Sequence, residues 1–287
     1  MKITNLVVIG SGTMGSGIAQ WFAQQGIKTE LVDINQQALE SAYKGILASW
    51  DKLVAKGKFT TDQKKEFTNN LSVKELSLVN AEADLVIEAI VEDIAIKTKL
   101  FQQLDKQMNS NCILASNTSS IPMATMAKSL KDSRKEKFIG LHFFNPAPVM
   151  KLVEIIRSPW TDIALANELE KWFSLHGKKP AQCSDAPGFI VNRVARNFYG
   201  EAFRICESRQ AEDFKKHDEI LKKVGGFRMG PFELMDLIGI DVNYDVTCSV
   251  WEAFYREARF QPHLIQKEMV DSGRLGRKTK QGFYKYE

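Results

Sequence analysis

A histidine and a glutamate whose spacing suits a β-hairpin mark where this chain could do chemistry. His142 and Glu154 lie equidistant from Pro148, where two apolar runs flank the turn Pro146-Ala-Pro148; this pattern reads as a hairpin. A hairpin folded about Pro148 sets His142 opposite Glu154 and on the same face, because side chains alternate along a strand. An imidazole oriented by a carboxylate moves a proton near neutral pH, which makes the pair a general acid/base unit. A hydrogen-bonded core histidine beside a rim carboxylate would satisfy the same residues. The rest of the chain has to decide between the two.

The second constellation lies near Met1. A short apolar run, Asn5–Ile9, leads into Gly10-Ser11-Gly12-Thr13-Met14-Gly15, and a helical pattern follows at once. A second apolar run ends in Asp33, 18 positions after Gly15. Each part has a physical task in dinucleotide binding: Gly10 for a tight turn, Gly12 for close backbone approach to a pyrophosphate, Gly15 for close helix–strand packing. The helix N-terminus would offer N–H groups and a positive dipole end to phosphates. Asp33 would accept hydrogen bonds from ribose hydroxyls and repel a 2′-phosphate, which favours NAD over NADP. Glycines in a turn also serve packing alone, but strand, helix, second strand and terminal acid together point to a cofactor.

These residues need a scaffold. The apolar run 83–90, a helical run 94–108 and the strand-like Cys112–Ser116 precede the hairpin. Such alternation predicts an α/β fold with a parallel, doubly wound, Rossmann-type sheet. The lysine-rich segment 36–70 is too long for an ordinary crossover and reads as a helical arm. From Pro187 onward apolar residues recur at helical spacing, which predicts a second, all-α domain. The boundary falls near Ser184–Pro187, giving domains 1–184 and 185–287. With 39 basic and 35 acidic residues the net charge of +4 is modest and diffuse, which argues against nucleic acid. Cys112, Cys183, Cys206 and Cys248 lack zinc-type or C-x-x-C spacing and read as reduced thiols; no metal site is expected. With no signal-like or membrane-spanning run, the cytoplasm is the expected location.

Several motifs now stand in register: Gly10-x-Gly12-x-x-Gly15, Ser116-Asn-Thr-Ser119-Ser, His142-Phe-Phe-Asn145-Pro, Pro187-Gly-Phe-Ile-Val-Asn192-Arg and Met229-Gly-Pro-Phe-Glu-Leu. Over essentially its whole length the chain resembles the short-chain L-3-hydroxyacyl-CoA dehydrogenases. The resemblance implies that His142 takes the proton from the substrate's 3-hydroxyl while hydride leaves C3 for nicotinamide, with Glu154 orienting the imidazole. It implies that Ser119 lies near the substrate oxygen and the nicotinamide, and that Asn192 meets the substrate carbonyl. From the residues alone, Ser119 reads equally as a helix N-cap and Asn192 as an interhelical hydrogen bonder. By resemblance Glu92, Lys97, Asn145 and Lys278 join the glycine loop and Asp33 around NAD, while Ser49 and Lys56 touch the CoA moiety along with Lys97. Lys278 also reads as a plain surface charge.

The short-chain substrate 3-hydroxybutyryl-CoA is the expected one. The segment 225–244 also looks like the branch that oxidises 3-hydroxyadipyl-CoA, whose distal carboxylate Arg228 could meet. The resemblance implies a homodimer through the helical domain. His176, His217 and His263 read as structural. Two rival readings are a lysine-based hydroxyacid dehydrogenase, which the His142–Glu154 pair counts against, and a non-catalytic NAD-binding structural or sensor protein.

Overall fold

The computed structural model describes residues 1–76, 79–206 and 210–287. The chain forms two compact units, Met1–Ala186 and Pro187–Glu287. In the first, the strands β1 (Asn5–Ile9), β2 (Lys28–Asp33), β3 (Leu71–Glu75), β4 (Leu85–Glu88), β5 (Ile113–Ser116), β6 (Phe138–Phe143), β7 (Leu152–Arg157) and β8 (Lys179–Ser184) make one sheet. Their order is β3-β2-β1-β4-β5-β6-β7-β8, and every pairing is parallel except β6 with β7. The central strands read as continuous apolar runs because helices cover both faces of a parallel sheet. Leu6, Val7, Leu85, Val86, Leu114 and Leu141 are accordingly almost fully buried. The antiparallel turn-back at β6–β7 brings Glu154 to the edge where the parallel strands end, the edge at which open α/β sheets hold ligands.

The helices α1 (Thr13–Gln24) and α7 (Ile163–Leu175) clamp one face of the sheet through aromatic rings. Phe22 stacks on Trp172 at 5.5 Å, and Trp21 stacks on Phe173 at 5.9 Å. Ile139, Leu141 and Phe143 of β6 point into this core, which turns the alternate residues Gly140 and His142 to the opposite face. Each fully buried ring contributes about 2 kcal/mol of transfer free energy, and this holds β6 in one register.

Segment 36–70 folds as two helices, α2 (Gln36–Ala55) and α3 (Thr61–Asn69). The chain reverses at Gly57, whose φ of +66° suits glycine, and Thr60 with Gln63 forms a capping box for α3. Leu39, Ile46, Trp50 and Phe67 join the main core. The helices α4 (Ile94–Gln107), α5 (Met123–Ala127) and α6 (Asp132–Lys135) complete the unit. The second unit consists of α8 (Val191–Ile205), α9 (Ala211–Lys223), α10 (Pro231–Ile238), α11 (Ile240–Ala253) and α12 (Leu264–Asp271) around Phe203, Phe214, Phe232 and Phe283. No helix of the described residues is long and apolar enough to cross a membrane.

Two buried aspartates lock this helical core to the C-terminal tail. Asp218 accepts hydrogen bonds from the Phe232 and Glu233 N–H groups at the start of α10 and from the Tyr284 hydroxyl. Asp236 accepts from the Phe283 and Tyr284 N–H groups and the Tyr286 hydroxyl. A Cβ at Gly230 would meet Asp218 Oδ1 at 2.3 Å, and one at Gly282 would meet Asp236 Oδ1 at 2.0 Å, so both positions require glycine.

Candidate active site

The register of β6 and β7 sets His142 directly opposite Glu154, as the midpoint at Pro148 predicts. His142 Nδ1 lies 2.6 Å from Glu154 Oε2, and both side chains are buried. A carboxylate only accepts, so in this pair the Nδ1–H of His142 is the hydrogen-bond donor to Glu154. The His142 ring also lies against Phe144. The turn after β6 is held by Lys178, a buried lysine not singled out from the sequence. Its Nζ donates to the carbonyls of Ala147 at 2.6 Å and Met150 at 2.7 Å, and it sits 4.5 Å over the Trp21 ring. Burial pulls the Lys178 ammonium down to about 8.

Three strands away, the glycine loop closes tightly. Gly10 has φ +106°, and a Cβ there would lie 2.5 Å from the Ala89 carbonyl oxygen; a Cβ at Gly15 would lie 1.8 Å from that of Gly10. Gly12 differs, since among the described residues nothing lies within 4 Å of its Cβ position. Among the described residues no side chain caps the N-terminus of α1, and uncapped first-turn N–H groups suit an anion. Ser11 donates to Asp33 Oδ2 through its N–H at 2.6 Å and its hydroxyl at 2.7 Å, and Asn35 N–H donates to Oδ1. Burial pushes the Asp33 carboxyl up, but these hydrogen bonds outweigh it and hold the group below the usual carboxylate range. An open glycine, an uncapped helix and an ionised acid at the end of β2 fit a dinucleotide's pyrophosphate and ribose.

Between these two centres runs a polar chain along the ends of β4 and β5. Glu88, fully buried, accepts from Lys97 Nζ, from the Ile90 N–H at 2.7 Å and from the Ser116 hydroxyl at 2.6 Å. Lys97, also buried, reaches Glu92 Oε2 at 3.2 Å. Glu92 Oε1 then gathers the Thr118 hydroxyl and the N–H groups of Ser119 and Ser120. Burial pushes the Glu92 carboxyl up, but Thr118 and Lys97 pull it below the usual range. Ser119 is therefore fixed by Glu92, while Pro122 occupies the N-cap position of α5 and Asp185 accepts from the Met123 and Ala124 N–H groups, so the N-cap alternative for Ser119 falls away. Glu88 went unread in the sequence, although an acid ending the apolar run Leu85–Glu88 is a signal of a buried charge.

The remaining residues are placed as follows. Asn145 is exposed in the turn after β6 and precedes Pro146 through a cis peptide bond. Ser49 accepts from Gln20 Nε2 at 3.2 Å, and Lys56 is exposed at the C-terminal end of α2. In the second unit Asn192 lies in the first turn of α8 and is half-buried, and Arg228 is exposed. Lys278 pairs with Asp241 at 2.5 Å. His176 Nδ1 lies 2.7 Å from the Trp172 carbonyl, and the His263 side chain accepts from the Ile265 N–H at the start of α12.

Comparison with known proteins adds the following. Residues 5–186 match the family model for the 3-hydroxyacyl-CoA dehydrogenase NAD binding domain, and residues 188–286 match the model for the C-terminal domain of 3-hydroxyacyl-CoA dehydrogenase. The 3-hydroxyadipyl-CoA dehydrogenase of Escherichia coli (strain K12) is 44% identical over 285 residues, which are 99% of this chain and 59% of that protein. A probable 3-hydroxybutyryl-CoA dehydrogenase of Bacillus subtilis (strain 168) is 36% identical over 100% of this chain and 99% of its own length. A crystal structure of 3-hydroxybutyryl-CoA dehydrogenase from Escherichia coli K12 superposes with a TM-score of 0.94 at 44% identity, covering 100% of this chain and 60% of that one.

Proposed function

This chain belongs to the 3-hydroxyacyl-CoA dehydrogenase family, and on that premise we propose that it interconverts an L-3-hydroxyacyl-CoA and the 3-oxoacyl-CoA with NAD. The observation that carries this reading is the buried His142–Glu154 hydrogen bond at the same sheet edge as the glycine loop. Gly10, Gly12, Gly15 and Asp33 would hold the cofactor, with Glu92, Lys97, Ser119 and Asn145 further along the edge and Lys278 in the tail. NAD, when bound, supplies the hydride acceptor. His142 Nε2 takes the 3-hydroxyl proton as hydride leaves C3, and in reverse returns it to the forming alkoxide. Glu154 holds the productive tautomer and offsets the charge on the imidazolium. Ser119 would donate a hydrogen bond to the substrate oxygen and Asn192 to the thioester carbonyl. Ser49 and Lys56 would contact CoA, whose phosphates suit a lysine.

For the substrate we propose a short acyl chain, as in 3-hydroxybutyryl-CoA. A second reading, 3-hydroxyadipyl-CoA, is favoured by the segment 225–244 and by the name of the Escherichia coli relative. The test is NADH oxidation with acetoacetyl-CoA beside 3-oxoadipyl-CoA. Turnover of the first supports the short-chain reading, turnover of only the second replaces it, and no turnover of either despite NADH binding overturns the enzymatic reading. We further propose a homodimer through the second unit, whose exposed Val194, Ile205, Leu237 and Val242 support a covered face. Light scattering of the eluted protein at one-chain mass would contradict it.

A further inference from the structure

Glu88, Lys97 and Glu92 form one connected chain of charge with an odd total. Two carboxylates flank one ammonium, and Lys97 touches both. The serines and threonine of the 116–120 turn need only hydrogen-bond acceptors, which neutral groups would supply. A buried ion pair gains little stability over apolar packing, so fold stability alone does not account for Glu88 and Lys97 here. Their place along the sheet does. Asp33 ends β2, the glycine loop follows β1, Glu88 ends β4, Ser116 ends β5 and His142 lies on β6, in that spatial order. The chain leaving β4 just after Glu88 also abuts the loop, because a Cβ at Gly10 would lie 2.5 Å from the Ala89 carbonyl oxygen. At the far end, Asn117 Oδ1 accepts from the Phe143 N–H at 2.8 Å, which joins the serine turn to the strand of His142.

A ligand held by Asp33 at one end, with its reacting end at His142, has to cross the trio. β2 to β6 is four strand spacings, about 19 Å. We propose that Glu88, Lys97 and Glu92 together place one net negative charge beside the nicotinamide end of the cofactor site, and that this charge favours the oxidised cofactor, whose ring is cationic, over the reduced one, whose ring is neutral. The inference rests on the proposed binding of NAD across this edge. Glu88 acts through Lys97, so it is a charge-setting and positioning residue. Its effect reaches further than that of a surface acid, because buried charges are weakly screened.

The experiment compares dissociation constants for NAD⁺ and NADH, measured by calorimetry and by NADH fluorescence, in the wild type and in Glu88→Gln. The substitution keeps the shape and leaves Lys97 paired with Glu92, so the trio becomes neutral. NAD⁺ affinity should fall on the order of tenfold relative to NADH affinity, the scale of one charge at this range. A purely structural role for Glu88 would weaken both forms by the same factor, and an unchanged ratio overturns the proposal. Should Glu88→Gln fail to fold, Glu92→Gln neutralises the trio from its exposed end and must move the ratio in the same direction. Wild-type protein that binds neither form would overturn the cofactor reading itself. Binding of both forms with a fixed ratio would overturn this inference alone.

Discussion

The three loop glycines do not do the same work, and substituting them separates folding from binding. Gly12 has φ −64° and ψ −176°, an extended backbone that any residue adopts, and a methyl group there meets nothing within 4 Å. Replacing glycine by alanine at an N-cap costs about 0.5–1 kcal/mol. The smaller unfolded-state entropy returns about 0.4–1 kcal/mol. Gly12→Ala should therefore change stability by less than about 0.5 kcal/mol, a shift in Tm of about 2 °C or less. Gly15→Ala is the contrast, because its Cβ would sit 1.8 Å from the Gly10 carbonyl oxygen. A carbon–oxygen contact wants at least about 3.3 Å, so helix and loop must part by about 1.5 Å, at a cost of about 3 kcal/mol or more. The assay pairs thermal unfolding with NADH fluorescence titration. Gly12→Ala should melt like the wild type yet bind NADH at least about tenfold more weakly, because its methyl occupies the backbone surface a pyrophosphate must approach. Wild-type affinity in a folded Gly12→Ala protein would refute the reasoning that this glycine answers to a ligand.

Two further outcomes are expected. Glu154→Gln keeps an acceptor for His142 Nδ1 but removes the charge that offsets an imidazolium, so kcat should fall about 10²-fold with NADH affinity held; an unchanged kcat in steady-state assays would deny Glu154 its role. Burial raises the Asp236 carboxyl against its hydrogen bonds from Phe283, Tyr284 and Tyr286. In the window between the ordinary 3.8 and the raised native value the folded state holds a proton that the unfolded state has lost, so this group's contribution to stability decreases as pH rises through that window. Asp236→Asn lacks that dependence. The melting temperature of the variant relative to wild type should therefore move in the variant's favour from pH 4 to pH 7, and a flat difference would contradict the sign.

The parts of this molecule legible in sequence were those with short-range rules. The midpoint of two apolar runs located the His142–Glu154 pairing, because a hairpin register follows from its turn. The glycine spacing located the β1–α1 turn for the same reason. The edge strands β3 and β8 were not legible, since Leu-Ser-Val-Lys-Glu and Lys-Pro-Ala-Gln-Cys-Ser alternate over only a few residues with two apolar positions clear in each, and they form strands because neighbouring strands pair with them. The segment 36–70 was legible as helical, but its burial through Trp50 and Phe67 depends on tertiary packing. Glu88 and Lys178 were missed for a related cause. A charge within or beside an apolar run looks like an interruption until the partners arrive, Lys97 and Ser116 for one and the carbonyls of Ala147 and Met150 for the other.

The central claim is that His142, oriented by Glu154, moves the proton in hydride transfer at C3 of a CoA thioester. The most direct measurement is the steady-state rate of NADH oxidation by acetoacetyl-CoA in His142→Gln beside the wild type, with NADH affinity measured on both. The account predicts a kcat lower by a factor of about 10² to 10⁴ with NADH affinity unchanged. Near-normal turnover in the variant would contradict it.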